Sequence, residues 1–95
     1  MDLRKLARGK DCMVRLPNIC NHNPETTVLA HVRLVGISGM GMKSPDLIGA
    51  WSCSSCHDRI DGRIKTNLDF ETIRIAHLEG MVRTINELYK LGVLK

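Results

Sequence analysis

The sequence predicts a small α+β domain, on three observations. A run rich in β-branched residues, from Thr27 to Val35, reads as a strand. Leu78, Met81, Val82, Ile85, Leu88 and Tyr89 recur at the i, i+3, i+4, i+7 spacing of an amphipathic helix. Four cysteines occur in 95 residues of which 3% are aromatic, and a short chain so poor in large rings has reason to staple its core. Ninety-five residues make one domain, taken as 1–95.

Residues 1–11 form a basic N-terminal arm, either a short helix or flexible, with Arg4, Lys5, Arg8 and Lys10 the densest cationic group of the chain. From Cys12 to Glu25 the chain reads as loop, since Pro17, Asn18, Asn21, Asn23 and Pro24 break any period. In the strand that follows, alternation puts Val28, Ala30, Val32 and Leu34 on one face and Leu29, His31, Arg33 and Val35 on the other. Gly36 to Pro45 is a glycine-rich loop. It fails as a nucleotide-binding P-loop because Met42 separates Gly41 from Lys43. Leu47 to Ser52 reads as a second strand, preceded by Asp46 in a turn-forming position after Pro45. Cys53 to Ile60 is a short helix that Ser52 or Ser54 could cap and Gly62 could stop. The last helix occupies 67–91, with Asn67 or Asp69 as cap and Gly92 as stop, and its apolar stripe is expected to pack on the sheet.

The net charge is +4 and the pI about 9.1, which suits a polyanionic partner such as nucleic acid and equally suits plain solubility. No run reaches the ~18 apolar residues of a transmembrane helix. The charged segment from Met1 to Lys10 lacks the apolar stretch of a signal peptide, so an intracellular, thiol-reducing setting without a membrane is expected. In that setting four cysteines point to metal more than to disulfides.

Cys53 and Cys56 form a C-x2-C knuckle, whose spacing lets two thiolates meet one ion while backbone N–H groups of the turn face the sulfurs. A tetrahedral zinc site needs four ligands, and the second pair is Cys12 and Cys20, with His22 able to replace Cys20. The competing readings are buried, unliganded thiols and a disulfide pair.

A further set lies in order along the chain: His31 in the first strand (LAHVR), Asp46 before the second (SPDLI), and His57 directly after the knuckle (CSSCHDRID). This order resembles the HNH, or His-Me finger, endonucleases, in which a ββα unit holds one catalytic divalent ion. The stretches RLPNICNHNPETTVLAHVRL, KSPDLI, CSSCHDRID and HLEGMVRT resemble the YbcO-like family of small phage and prophage nucleases, related to the RecA-dependent nuclease Ref. The first resemblance covers roughly Cys12 to Asp61, and the second nearly the whole chain.

The resemblance implies a treble-clef-like ββα unit over 12–61, stapled by structural Zn2+, with the C-terminal helix added. It implies metal-dependent hydrolysis of DNA in the cytoplasm of a bacterial host, in phage recombination or DNA processing, with DNA and a RecA-like recombinase filament as partners; a homodimer is compatible. The catalytic residues it implies are His31, Asp46 and His57. His31 would be the base, because a neutral imidazole can take a proton from water near neutral pH. His57 would be a ligand of Mg2+ or Mn2+, with Asp46 or Asp61 beside it; Asp61, four residues on, shares its helical face. Asp46 stands where the family usually has asparagine, and could instead orient His31. The chain departs from the family at Ala30, where many members place a metal-binding Asp or His. The inner shell must then draw on Asp46, Asp58, Asp61 or water. Arg33, Lys43, Arg59 and Arg63 are the candidates for phosphate contact. His77 reads as core or surface. Two rival readings are a non-catalytic zinc module that binds nucleic acid or a recombination protein, and a structural protein assembled through its last helix.

Overall fold

In the computed structural model, β1 (Val28–His31) and β2 (Gly49–Ser52) pair antiparallel, with Val28 opposite Ser52 and His31 opposite Gly49. The structure describes residues 2–33 and 45–94. The end of the expected first strand and Lys43 with its glycine loop therefore lie outside the described residues. Pairing continues beyond β1, since Val32 N–H donates to the Ile48 carbonyl at 2.9 Å. Leu47 and Ile48, expected in the second strand, belong instead to a turn closed by Ile48 N–H on the Pro45 carbonyl. Pro45 opens this turn, and Asp46 and Leu47 occupy its two central positions.

Among the described residues, three α-helices accompany this hairpin: α1 (Leu3–Ala7), α2 (Ser54–Ile60) and α3 (Phe70–Lys90). Asp69 caps α3 by accepting from Thr72 N–H at 2.7 Å, and Gly92 follows its end with a φ of +78°, where glycine carries no Cβ penalty. The cap of α2 differs from expectation. Neither serine supplies it; the Cys53 sulfur accepts from Cys56 N–H at 3.4 Å.

Two strands alone are marginal in water, and α3 packs on them as a second layer. Trp51 turns both backbone groups away from β1: its N–H donates to Thr84 Oγ1 at 2.9 Å, and its carbonyl accepts from Met13 N–H at 2.7 Å. The outer edge of β2 is thereby closed. Thr84 donates in turn to the Gly80 carbonyl at 2.8 Å. A Cβ on Gly80 would stand 3.0 Å from the Met13 carbonyl oxygen and the Val14 Cα, so a helix-weakening glycine is what lets the 12–16 segment lie against α3.

The buried line of α3 runs through His77, Gly80, Thr84 and Leu88. This corrects the expected stripe: Val82 and Tyr89 are 62% and 55% exposed. The helix is seated by a hydroxyl, an imidazole and a missing side chain, none of which hydrophobic periodicity registers. Replacing Thr84 by Val keeps the shape but strands the buried Trp51 N–H. The expected cost is about 1–3 kcal/mol, read as a fall of several degrees in the midpoint of a thermal melt.

The core falls into two clusters. Val14, Leu16 and Ala50 pack with Cys12, Cys53 and Cys56, while Ala7, Met13, Trp51 and Leu88 pack on the other side. Cysteine sulfur is thus a large part of the first cluster. Among the described residues, no helix is long and apolar enough to cross a membrane.

Candidate functional site

The sulfurs of Cys12, Cys20, Cys53 and Cys56 all lie within 4.8 Å of one another. Local geometry brings them there. Cys12 and Cys53 each open a tight turn in which the N–H three residues on, of Arg15 or Cys56, donates to the sulfur at 3.4 Å. The chain between Cys12 and Cys20 folds back through left-handed residues Arg15 and Asn18, and Cys20 N–H closes a turn on the Leu16 carbonyl. Asn21 then ties this loop to α2, with Nδ2 donating to Ser54 Oγ at 3.1 Å, while Ser54 N–H donates to Thr26 Oγ1 at 3.2 Å. That clasp sets Cys20 beside Cys53.

The pairs Cys12–Cys56 and Cys20–Cys53 have sulfurs 3.8 Å apart. This is far longer than a disulfide bond of ~2.05 Å. It is the edge of a tetrahedron whose corners lie ~2.3 Å from a central ion, the zinc–thiolate distance. Four thiols at this spacing cannot all ionise without a cation between them. Cys12 takes the charge, pulled down to about 4 chiefly by the Cys56 thiol and also by backbone N–H groups. Cys56 is pushed well above the thiol range by the same contact and by burial, and burial raises Cys20 to about 11. A dication would reverse those penalties, and the residues therefore fit a metal. His22 Nδ1 lies 3.7 Å from the Cys20 sulfur, beside the tetrahedron rather than in it.

Two of the four histidines pair with aspartates. His31 Nε2 lies 2.8 Å from Asp46 Oδ1 at the end of β1. The hydrogen bond to His31, aided by Arg4 at 3.5 Å, holds the Asp46 carboxyl below its ordinary range. An ionised Asp46 accepts only, so Nε2 of His31 carries a proton and a neutral ring has its lone pair on Nδ1. On α2, His57 Nε2 lies 3.2 Å from Asp61 Oδ2. Asp46 is thus joined to His31 and Asp61 to His57. Asp58 and Asp61 both face Arg63, at 3.7 and 3.4 Å. Among the described residues, the cysteines are the one set of three or more metal-ligating side chains that converges.

A cleft of about 330 Å³ lies where the end of β1, the end of α2 and α3 meet: His31, Arg33, Ile60, Asp61, Arg74 and His77 line it. His57 does not line it directly and reaches it through Asp61. Of the expected phosphate-binding residues, Arg33 is in the cleft wall, whereas Arg59 donates to the Ser55 carbonyl and Arg63 is held by the two aspartates. Arg74 was not singled out by the sequence, although it is three residues from His77 on the same helical face. It donates to the Arg33 carbonyl at 2.6 Å, which fixes its guanidinium at the cleft rim.

His77 is buried and donates from Nε2 to the Ala30 carbonyl at 2.9 Å. Burial lowers its pKa, with the positive charge of Arg74 acting in the same sense and the Ala30 hydrogen bond opposing. The folded domain therefore keeps this ring neutral where the unfolded chain, with a value near ~6.5, takes up a proton. Stability carried by His77 is complete above that value and falls as pH drops through it. Urea midpoints measured between pH 8 and pH 5.5 should fall more steeply for the wild type than for His77→Gln, which cannot titrate.

The family model "Putative nuclease YbcO" matches residues 1–93. "Putative nuclease YbcO" of Escherichia coli (strain K12) is 53% identical over 94 residues, covering 99% of this chain and 97% of that one. "Putative nuclease ybcO" of Enterobacteria phage 82 matches to the same extent. A solved structure, "Structure of a putative bacteriophage protein from Escherichia coli str. K-12 substr. MG1655", superposes with a TM-score of 0.81 at 47% identity, covering 96% of this chain and all of that one. The chain belongs to the YbcO family of putative nucleases.

Proposed function

We propose that this member of the YbcO family is an HNH-type endonuclease that hydrolyses DNA phosphodiester bonds with a divalent ion. The observation that carries the reading is His31, held by Asp46 at 2.8 Å and lining a cleft that Asp61 also lines, with His57 bonded to Asp61 behind it. In this reading the four cysteines hold one structural zinc, which locks α2 against the 12–20 loop.

Nδ1 of His31 accepts a proton from the attacking water, and Asp46 stabilises the imidazolium that results. His57 and Asp61 are the side chains that would hold Mg2+ or Mn2+, with water completing the shell because residue 30 is alanine. Such an ion supplies charge stabilisation for the phosphate and the leaving oxygen when bound. Arg33 and Arg74 add fixed positive charge at the cleft for the flanking phosphates. The phage relative supports a phage setting for the reaction.

The test is a nicking assay on single-stranded and duplex DNA, with and without Mg2+ or Mn2+. Metal-dependent cleavage by the wild type, lost in a folded His31→Ala variant, is the expected result. Absence of cleavage by the wild type on both substrates under all metals would leave the non-catalytic binding module as the better reading.

A further inference from the structure

A second concavity, of about 660 Å³, lies between α1 and β1 and is lined by Arg4, Lys5, Arg8, Val28 and Leu29. Its charged lining residues are all cationic and its apolar ones, Val28 and Leu29, are aliphatic. Val28 is 39% exposed there, although it sits on the strand face whose later members, Ala30 and Val32, are buried. The groove is not separate from the cleft. Arg4 Nε lies 3.5 Å from Asp46 Oδ1, the same oxygen that meets His31 Nε2. Arg4 and Asp46 therefore connect the groove that Lys5 and Arg8 line to His31, and so to the cleft that Arg33 and Arg74 line.

We propose that this groove is a subsite for a single-stranded stretch of the nucleic acid whose scissile phosphate lies at His31. The proposal rests on the nuclease reading and adds the strandedness and path of the substrate. Three cations lining one groove, on a chain of net charge +4, match a polyanion. The aliphatic part of the lining decides between forms of that polyanion. A duplex turns phosphates outward and keeps its base faces stacked, so it offers Val28 and Leu29 nothing apolar. An unpaired nucleotide offers a base face and a sugar edge for burial, while its phosphates meet the arginines and the lysine. The volume is in the range that accepts a drug-sized molecule, about one nucleotide.

Binding is measured by fluorescence anisotropy in the His31→Ala background, so that the probe is not cut. The probes are labelled oligodeoxythymidylate and a labelled duplex of equal length, titrated over 50–300 mM salt. Lys5→Gln with Arg8→Gln removes groove charge without touching Asp46, and should lower single-strand affinity about tenfold and the salt slope by about 1–2. Val28→Ser should weaken single-strand binding severalfold and leave the duplex and the salt slope unchanged. Equal losses for both probes with Val28→Ser, an unchanged single-strand affinity in the charge variant, or displacement by polyglutamate as effective as by oligonucleotide would each overturn the subsite. The nuclease reading fails separately. A wild type that cuts nothing, yet binds single strands through Lys5, Arg8 and Val28, removes catalysis and keeps the groove; normal duplex cleavage with the groove variants binding unchanged does the reverse.

Discussion

Removing metal from the four-cysteine centre is expected to unfold the domain. The reason is the composition of its core. Cys12, Cys53 and Cys56 are half of the buried cluster that also holds Val14, Leu16 and Ala50, and Cys20 packs at its edge. Metal binding to structural sites of this kind contributes about 10–16 kcal/mol, and a small domain's whole stability is about 5–15 kcal/mol. Without the cation, Cys12 is left as the favoured thiolate, and Cys20 and Cys56 are driven toward the neutral form. What then ties the 12–20 loop to the start of α2 is the packing of Val14 and Leu16 and the Asn21 clasp, which is exposed. A strong chelator should release one zinc per chain, measured colorimetrically, together with loss of the helical circular dichroism signal. Cys53→Ser should behave like the chelated protein, since it removes a ligand and the sulfur that caps α2. A melt unchanged by chelation would show that the thiols are packing groups and no more.

Much of this arrangement was legible in the chain. The C-x2-C knuckle, the caps and stops at Asp69 and Gly92, and the α+β pattern are all local signals, written in residues adjacent in sequence. What escaped reading depends on contacts made across the molecule. The seat of α3 is one such case: Thr84 meets Trp51 N–H and Gly80 admits the Met13 backbone, so the buried line follows small and polar residues while Val82 and Tyr89 stay exposed. The division of the acids is another. Spacing allowed Asp46 to serve either histidine, and only the turn at Pro45 and the hairpin register put it on His31. Arg74 is the third, because its place at the cleft is fixed by a carbonyl forty-one residues away, that of Arg33.

The His31–Asp46 pair yields the sharpest kinetic expectation. His31→Ala should lower the cleavage rate by about 10²–10⁴, the usual contribution of a general base, with the thermal melt little changed because the ring is partly exposed. Asp46 acts through His31, so its variants separate the parts of that role. Asp46→Asn retains an oxygen that can accept from Nε2 and loses the charge that favours the imidazolium. Asp46→Ala loses both, and should cost more than Asp46→Asn. In the double variant His31→Ala/Asp46→Ala the loss should equal that of His31→Ala alone, since residues acting as one unit do not add. A purely structural Asp46, present only to shape the turn from Pro45 to Ile48, would give the opposite pattern. Its alanine variant would lower the melting temperature, and its effect on rate would multiply that of His31→Ala. Asp46 is held below the ordinary carboxylate range by its contact with His31 and by Arg4, so its charge is already in place near neutral pH. The difference in rate between Asp46→Asn and the wild type therefore measures what that charge contributes to the step, and the further loss in Asp46→Ala measures what the hydrogen-bonded oxygen contributes to holding the ring.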